Sequence, residues 1–286
     1  MELWLVCALL TVVCYGVGEG LSKEPTVRLG SARMLALYAL GNAPVYVAWF
    51  LLGSGWTRLT PTGIELALAS GLCGSLGTIF WFRAMESGTA SVVSGVTAAY
   101  PVITVVAAVA VLGAALLPLQ VVALALLLFA VVLLGRHETD PEGTESRDVG
   151  RAWLVPMFFA VVLWGVWGIV ERLSIDALGF AGNAGIYVLV STPVYLAVAA
   201  RGVARGGSWD RVGVREALPS LILFGIAGIT IFLAIGLGPI AIVVPLTTAY
   251  PVVAILVRRF WMDERLSGPQ KFAIGLALLG VVLVSV

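Results

Sequence analysis

The chain has 286 residues, of which 60% are hydrophobic and 12% charged, with a net charge of +1 and a mean hydropathy of +1.05. Soluble domains carry about a quarter charged residues, so the composition excludes a soluble fold, and the near-neutral charge points to no nucleic-acid partner. A bilayer core about 30 Å thick takes roughly 20 apolar residues in a helix. Ten segments meet that length, near residues 3–22, 32–52, 63–84, 88–112, 116–135, 152–172, 181–201, 217–236, 239–260 and 269–286. The start of the chain lacks the basic region of a signal peptide, so the first segment is expected to stay as a helix. Cys7, Cys14 and Cys73 all fall inside apolar runs, without metal-ligand spacing, and read as small core residues. Neither metal nor cofactor is expected.

The polar stretch 136–150, Arg-His-Glu-Thr-Asp-Pro-Glu-Gly-Thr-Glu-Ser-Arg-Asp-Val-Gly, divides the segments into five and five. The two halves are copies of one another. Thr97-Ala98-Ala99-Tyr100-Pro101-Val102 returns as Thr247-Thr248-Ala249-Tyr250-Pro251-Val252, and Phe82, Ala84, Gly88, Val93 and Gln120 return 150 residues later as Phe232, Ala234, Gly238, Val243 and Gln270. At an offset of 149, Gly16 matches Gly165, Pro44 matches Pro193 and Tyr46 matches Tyr195. The predicted organisation is therefore an all-α integral membrane protein. A first five-helix repeat spans 1–135, a linker 136–150 and a second repeat 151–286. Because five is odd, the second repeat enters the membrane opposite to the first, as in secondary transporters with inverted repeats.

Orientation follows from Lys and Arg. The turns after the odd-numbered segments carry fifteen of them, against only Arg58 and Arg172 on the other side. The positive-inside rule makes the odd turns cytoplasmic and both termini extracytoplasmic.

Together these features resemble the drug/metabolite transporter superfamily, EamA type. The resemblance is carried by the two five-helix halves, Trp164-Gly165, Phe82-x-Ala84 and Phe232-x-Ala234, Gly88 and Gly238, the two Tyr-Pro pairs, and Asp263-Glu264-Arg265-Leu266 before the last segment. It covers nearly the whole chain. It implies a carrier of small organic solutes that works by alternating access around a central cavity walled by both halves. One departure is Glu264, which has Ala114 opposite it in the first repeat and so makes any gating role of that turn one-sided.

Three groups of residues are candidates for contact with a solute. At the Tyr-Pro sites, proline lacks an N–H and clashes with the carbonyl four residues back, so Pro101 and Pro251 are hinge candidates that free the carbonyls of Thr97 and Thr247. A freed carbonyl in hydrocarbon needs a side chain, a water or a ligand, and Ser94, Thr97, Thr247 and Thr248 supply hydroxyls beside it, unless each kink is capped by its own threonine. The second group is aromatic: Tyr15, Trp164 and Trp167, Tyr46 and Tyr195, Trp81, Tyr100 and Tyr250. Faces of this kind attract organic cations, although core or lipid-facing packing is the commoner use. The third is Glu19, which either pairs with Lys23 at the interface or balances a cation or proton inside the cytoplasmic vestibule. Glu171 and Arg172 are read as helix-end anchors, which leaves no carboxylate at mid-membrane.

The expected function is that of a secondary transporter in the cytoplasmic membrane, moving an amino acid or related metabolite. An organic cation, choline-type or drug, is the alternative, as is a lipid carrier. Its partners are the solute and the lipid bilayer, as a monomer or homodimer. An enzyme is not expected, because the single histidine, His137, lies in the linker, away from any nucleophile or paired carboxylate.

Overall fold

The structure is a computed structural model that describes residues 2–87, 93, 96–97, 99–136, 153–204, 209–261 and 268–284. Ser94, Gly88, Asp263 to Leu266 and nearly all of the linker lie outside the described residues. Among the described residues the α-helical elements run α1 Leu3–Leu29, α2 Ser31–Leu52, α3 Pro61–Ser87, α4 Tyr100–Leu112, α5 Pro118–Arg136, α6 Leu154–Ala204 (two helices that meet at Gly179), α7 Arg211–Leu237, α8 Ile240–Thr247, α9 Tyr250–Trp261 and α10 Gly268–Val284. Five of them, α1, α2, α3, α6 and α7, are long and apolar enough to cross a membrane. Among the described residues there is no strand.

Two helices differ from the sequence expectation. The first is α6, where the segments predicted at 152–172 and 181–201 are both present as helices but meet directly at the non-helical Gly179, because the first continues past 172 to Leu178. The helix runs past Glu171 because the charges there are locally satisfied. Arg172 Nε donates to Asp176 Oδ2 one turn on, at 2.9 Å, and Arg172 Nη1 donates to the carbonyls of Ile235 and Gly238 at 2.8 and 2.9 Å. Gly179 then turns the chain with φ 72° and ψ 171°, a region open in practice only to glycine. Gly30, its counterpart 149 residues earlier, turns α1 into α2 with φ 81° and ψ 151°. The corner is thus repeated in both halves, and we refer to the two parts of α6 as its first and second arms.

The second is the Tyr-Pro site, where the helix is interrupted rather than bent. α8 stops at Thr247 and α9 starts at Tyr250, while α4 starts at Tyr100. The same pair of short-range bonds marks both places: Ala99 N–H to Val96 O and Val102 N–H to Ala99 O, repeated as Ala249 to Leu246 and Val252 to Ala249. Each proline sits in the first turn of the new helix, where its missing N–H costs nothing.

Packing repeats as well. α3 packs on α6 and α1 on α7, while α4 touches α6 and α9 touches α1; α5 and α10 pack on each other. Small residues permit the close approaches, as expected where lipid removes the hydrophobic drive for helix association. A β-carbon on Gly77 would stand 2.5 Å from Trp164, and one on Gly18 would stand 2.9 Å from the Phe224 ring. The outer surface is apolar, with Leu40, Val106, Phe129, Phe158, Leu189, Ile222 and Phe272 exposed, which suits a lipid environment.

Candidate functional site

The turns collect at two ends of the bundle. At the end rich in Lys and Arg, the Ser31 N–H donates to Glu86 at the end of α3, and Arg28 lies 3.5 Å from Asp210 and 3.7 Å from Glu216. At the opposite end, Gly53 and Gly55 lie against Ala181, and Gly63 against Leu178. Between the ends is a cavity of about 100 Å³ bounded by both repeats. A water needs about 10–15 Å³ on this measure, so the space suits a solute of roughly ten heavy atoms.

Nine of the thirteen residues that the sequence singles out for contact line it: Tyr15, Glu19, Tyr46, Trp81, Tyr100, Trp164, Trp167, Thr247 and Tyr250. Thr97 does not. It is fully buried, with its hydroxyl donating to Val93 O at 2.7 Å. Thr247 and Thr248 likewise donate to Val244 O and Pro245 O, at 2.8 and 2.6 Å. The threonine protons are therefore spent on their own helices, and each oxygen is left as an acceptor. Across the repeats, the Tyr100 phenol is in hydrogen-bonding reach of Thr247, and the Tyr250 phenol of Thr97. Pro101 and Pro251 are buried beneath these contacts.

The wall is built of matched aromatic pairs. Tyr15 meets Tyr250 with ring centroids 6.0 Å apart, and Trp164, which occupies the position of Tyr15 in the second repeat, meets Tyr100 at 5.9 Å. Tyr38 and Tyr187 add two phenols that the sequence reading left out of the contact set, and Phe82, Phe224 and Phe232 complete the ring system. Tyr46 stacks on Tyr187 at 6.0 Å, and Tyr187 stands edge-on to Phe232 at 5.2 Å. The signal for these residues was present: Tyr38 and Tyr187 are 149 residues apart, the offset that relates Tyr46 to Tyr195. Small residues make room for the rings, since a side chain on Gly74 would collide with the Tyr187 hydroxyl and one on Gly228 with that of Tyr46.

Glu19 is the single charged group among the described lining residues. Only 2% of it is exposed, so the account that places it in water at the interface does not hold. Glu171 is also misplaced by the sequence reading. It is fully buried and accepts hydrogen bonds from Ser70 Oγ and Asn183 Nδ2.

The pattern that defines the EamA-like transporter family matches residues 2–136 and again 151–286. The chain belongs to that family, within the drug/metabolite transporter superfamily, and is an integral membrane protein. Among solved structures, one described as "Crystal structure of protein" superposes with a TM-score of 0.77, covering 99% of this chain and 95% of its own at 20% identity, a likeness that shows the fold. No curated protein matches.

Proposed function

We propose that the chain is a secondary transporter that carries a small organic solute across the cytoplasmic membrane by alternating access. With the arms of α6 counted as two passes, and α8 and α9 as one interrupted pass, it crosses ten times with both termini extracytoplasmic. The observation that carries this reading is the central cavity, whose wall takes Tyr15, Tyr100, Trp164 and Tyr250 from equivalent positions of the two repeats. A site on the pseudo-twofold of two inverted halves is reachable from either end by the same motion mirrored.

Within that class the lining favours an organic cation over an amino acid. Aromatic faces and one carboxylate attract a quaternary or protonated amine, and no Lys or Arg is among the described lining residues to receive the carboxylate of a zwitterion. The same lack speaks against a lipid carrier, whose phosphate calls for basic partners. The test is a thermal-stability screen of purified protein against quaternary ammonium compounds, amino acids, sugars and nucleotide sugars. A ligand at a hundredfold excess over its Kd stabilises by about 2.7 kcal/mol. Stabilisation by choline-like cations supports the assignment. Stabilisation by amino acids alone would move the solute class back to metabolites and demote the aromatic wall to packing.

A further inference from the structure

One turn beyond the cavity, three helical stretches are tied together around a carboxylate that the cavity does not use. Ser70 of α3 and Asn183 of the second arm of α6 donate to the two oxygens of Glu171 on the first arm, and Ser174 Oγ donates to Asn183 Oδ1 at 2.6 Å. All four side chains are fully buried. Four residues along each helix toward the cavity come Gly74, Trp167 and Tyr187, which line it. The cluster therefore closes the bundle between the cavity and the end that carries Gly63 and Leu178.

The charges around Glu171 do not neutralise it. Arg172, its neighbour in sequence, is engaged with Asp176, Ile235 O and Gly238 O. The titratable groups that feel Glu171 are the phenols of Tyr46 on α2 and Tyr187 on the second arm. Cys73 is a partly buried thiol on α3, and Glu65, on the same helix, is exposed. Among the described residues no Lys, Arg or His bonds to Glu171. A carboxylate in this setting carries a large desolvation cost that uptake of a proton removes. The partners suit both forms. The ionised group accepts from Ser70 and Asn183, with the Trp167 indole of the cavity wall also in reach, whereas the protonated group donates to Ser70 Oγ once that hydroxyl rotates, since a hydroxyl both donates and accepts.

We propose that Glu171 is a proton-binding site, separate from the solute cavity, that exchanges its proton with water at the end opposite the Lys- and Arg-rich turns when the seam of α3 and the two arms of α6 parts. The site is one-sided. At the repeat offsets its counterparts are Ser22, Ser220 and Met34, and both serines donate to their own helices, to Glu19 O at 3.0 Å and Ala217 O at 2.8 Å. One seam thus responds to pH and its mirror image does not. In the orientation proposed above, the responsive seam faces outward, and that placement alone rests on the transporter reading.

Infrared difference spectra of the purified full chain in lipid nanodiscs, titrated from about pH 5 to about pH 9, test this without any solute. The expected result is a protonated-carboxyl C=O band that disappears as pH rises, is lost in Glu171→Gln and survives in Glu19→Gln. Should Glu171→Gln fail to fold, Ser70→Ala serves in its place, because removing that partner shifts the band and its midpoint. A carboxyl band unaffected by either Glu171→Gln or Ser70→Ala overturns the proposal. So does a Glu171 band that never changes across the range, or one that follows Na⁺ replacement at fixed pH. Because no solute is present, a failed ligand screen leaves this result standing, and the reverse also holds.

Discussion

Gly165 stands so close to Ile103 that a β-carbon on the glycine would lie 2.6 Å from the Ile103 Cβ. Gly16 meets Val253 in the same way in the other half, and the four residues correspond at the repeat offsets. The crossing places Trp164 and Tyr15, each one residue earlier, at the cavity wall. Overpacking such a contact costs about 1–3 kcal/mol. Gly165→Val should therefore lower the melting temperature. An unchanged melting temperature in Gly165→Val would mean that the helices slide apart freely at this point.

Trp164→Ala is expected to abolish stabilisation by a quaternary ammonium ligand while only weakening that by an amino acid. Cation–π contact contributes about 0.5–2 kcal/mol per desolvated ring, and Trp164 is one of several rings that a cation would face. Equal losses for both ligand types in the same thermal assay would remove the cation–π argument.

Pro251→Ala restores a backbone N–H where α9 begins and removes the ring that keeps α8 and α9 apart. The variant is expected to insert and fold, because Pro251 lies in a first turn, yet to transport more slowly once the break is free to close into one helix. Solute flux into proteoliposomes, normalised to inserted protein, measures this. Unchanged flux would reduce Pro251 to packing.

At the Lys- and Arg-rich end, Asp210 caps α7 by accepting from the N–H groups of Val212 and Gly213, both at 3.1 Å. These backbone donors first, and Arg28 after them, hold its carboxyl below the usual aspartate range. A group whose folded pKa is depressed stabilises above its unfolded value, about 3.9, and loses that contribution as pH falls through the folded value. The melting temperatures of wild type and Asp210→Ala should thus differ at about pH 6 and converge well below about pH 4. A constant gap across that range would show that the carboxylate charge is not involved.

Much of the architecture was legible because hydropathy and duplication are long-range signals. Gly16, Tyr46, Tyr100 and Pro101 each recur at a fixed offset, and the structure puts the recurrences in matching places. What escaped was local satisfaction of charge. Glu171 and Arg172 end an apolar window, so the helix was expected to end with them. In the fold, Arg172 is bonded to Asp176 and to the carbonyls of α7, and the helix continues with Glu171 inside it. The spacing of Arg172 to Asp176 was the available sign. At the threonines, where the sequence left a solute contact and a local cap both open, the local bond is present. Thr97 is off the cavity wall, and its hydroxyl bonds to the carbonyl four residues back, as a hydroxyl so placed on a helix readily does.

The corners at Gly30 and Gly179 have a mechanical consequence. Each joins two long helices through a single residue, so neither pair contains slack that would let one limb shift while the other stays. One pair has its apex at the Lys- and Arg-rich end and the other at the opposite end. On the alternating-access reading proposed above, the pairs would act as linked brackets, so that tilting that spreads one mouth of the bundle would draw the other together. Two doors so linked would never be ajar at once, and a solute would be exchanged without opening a leak.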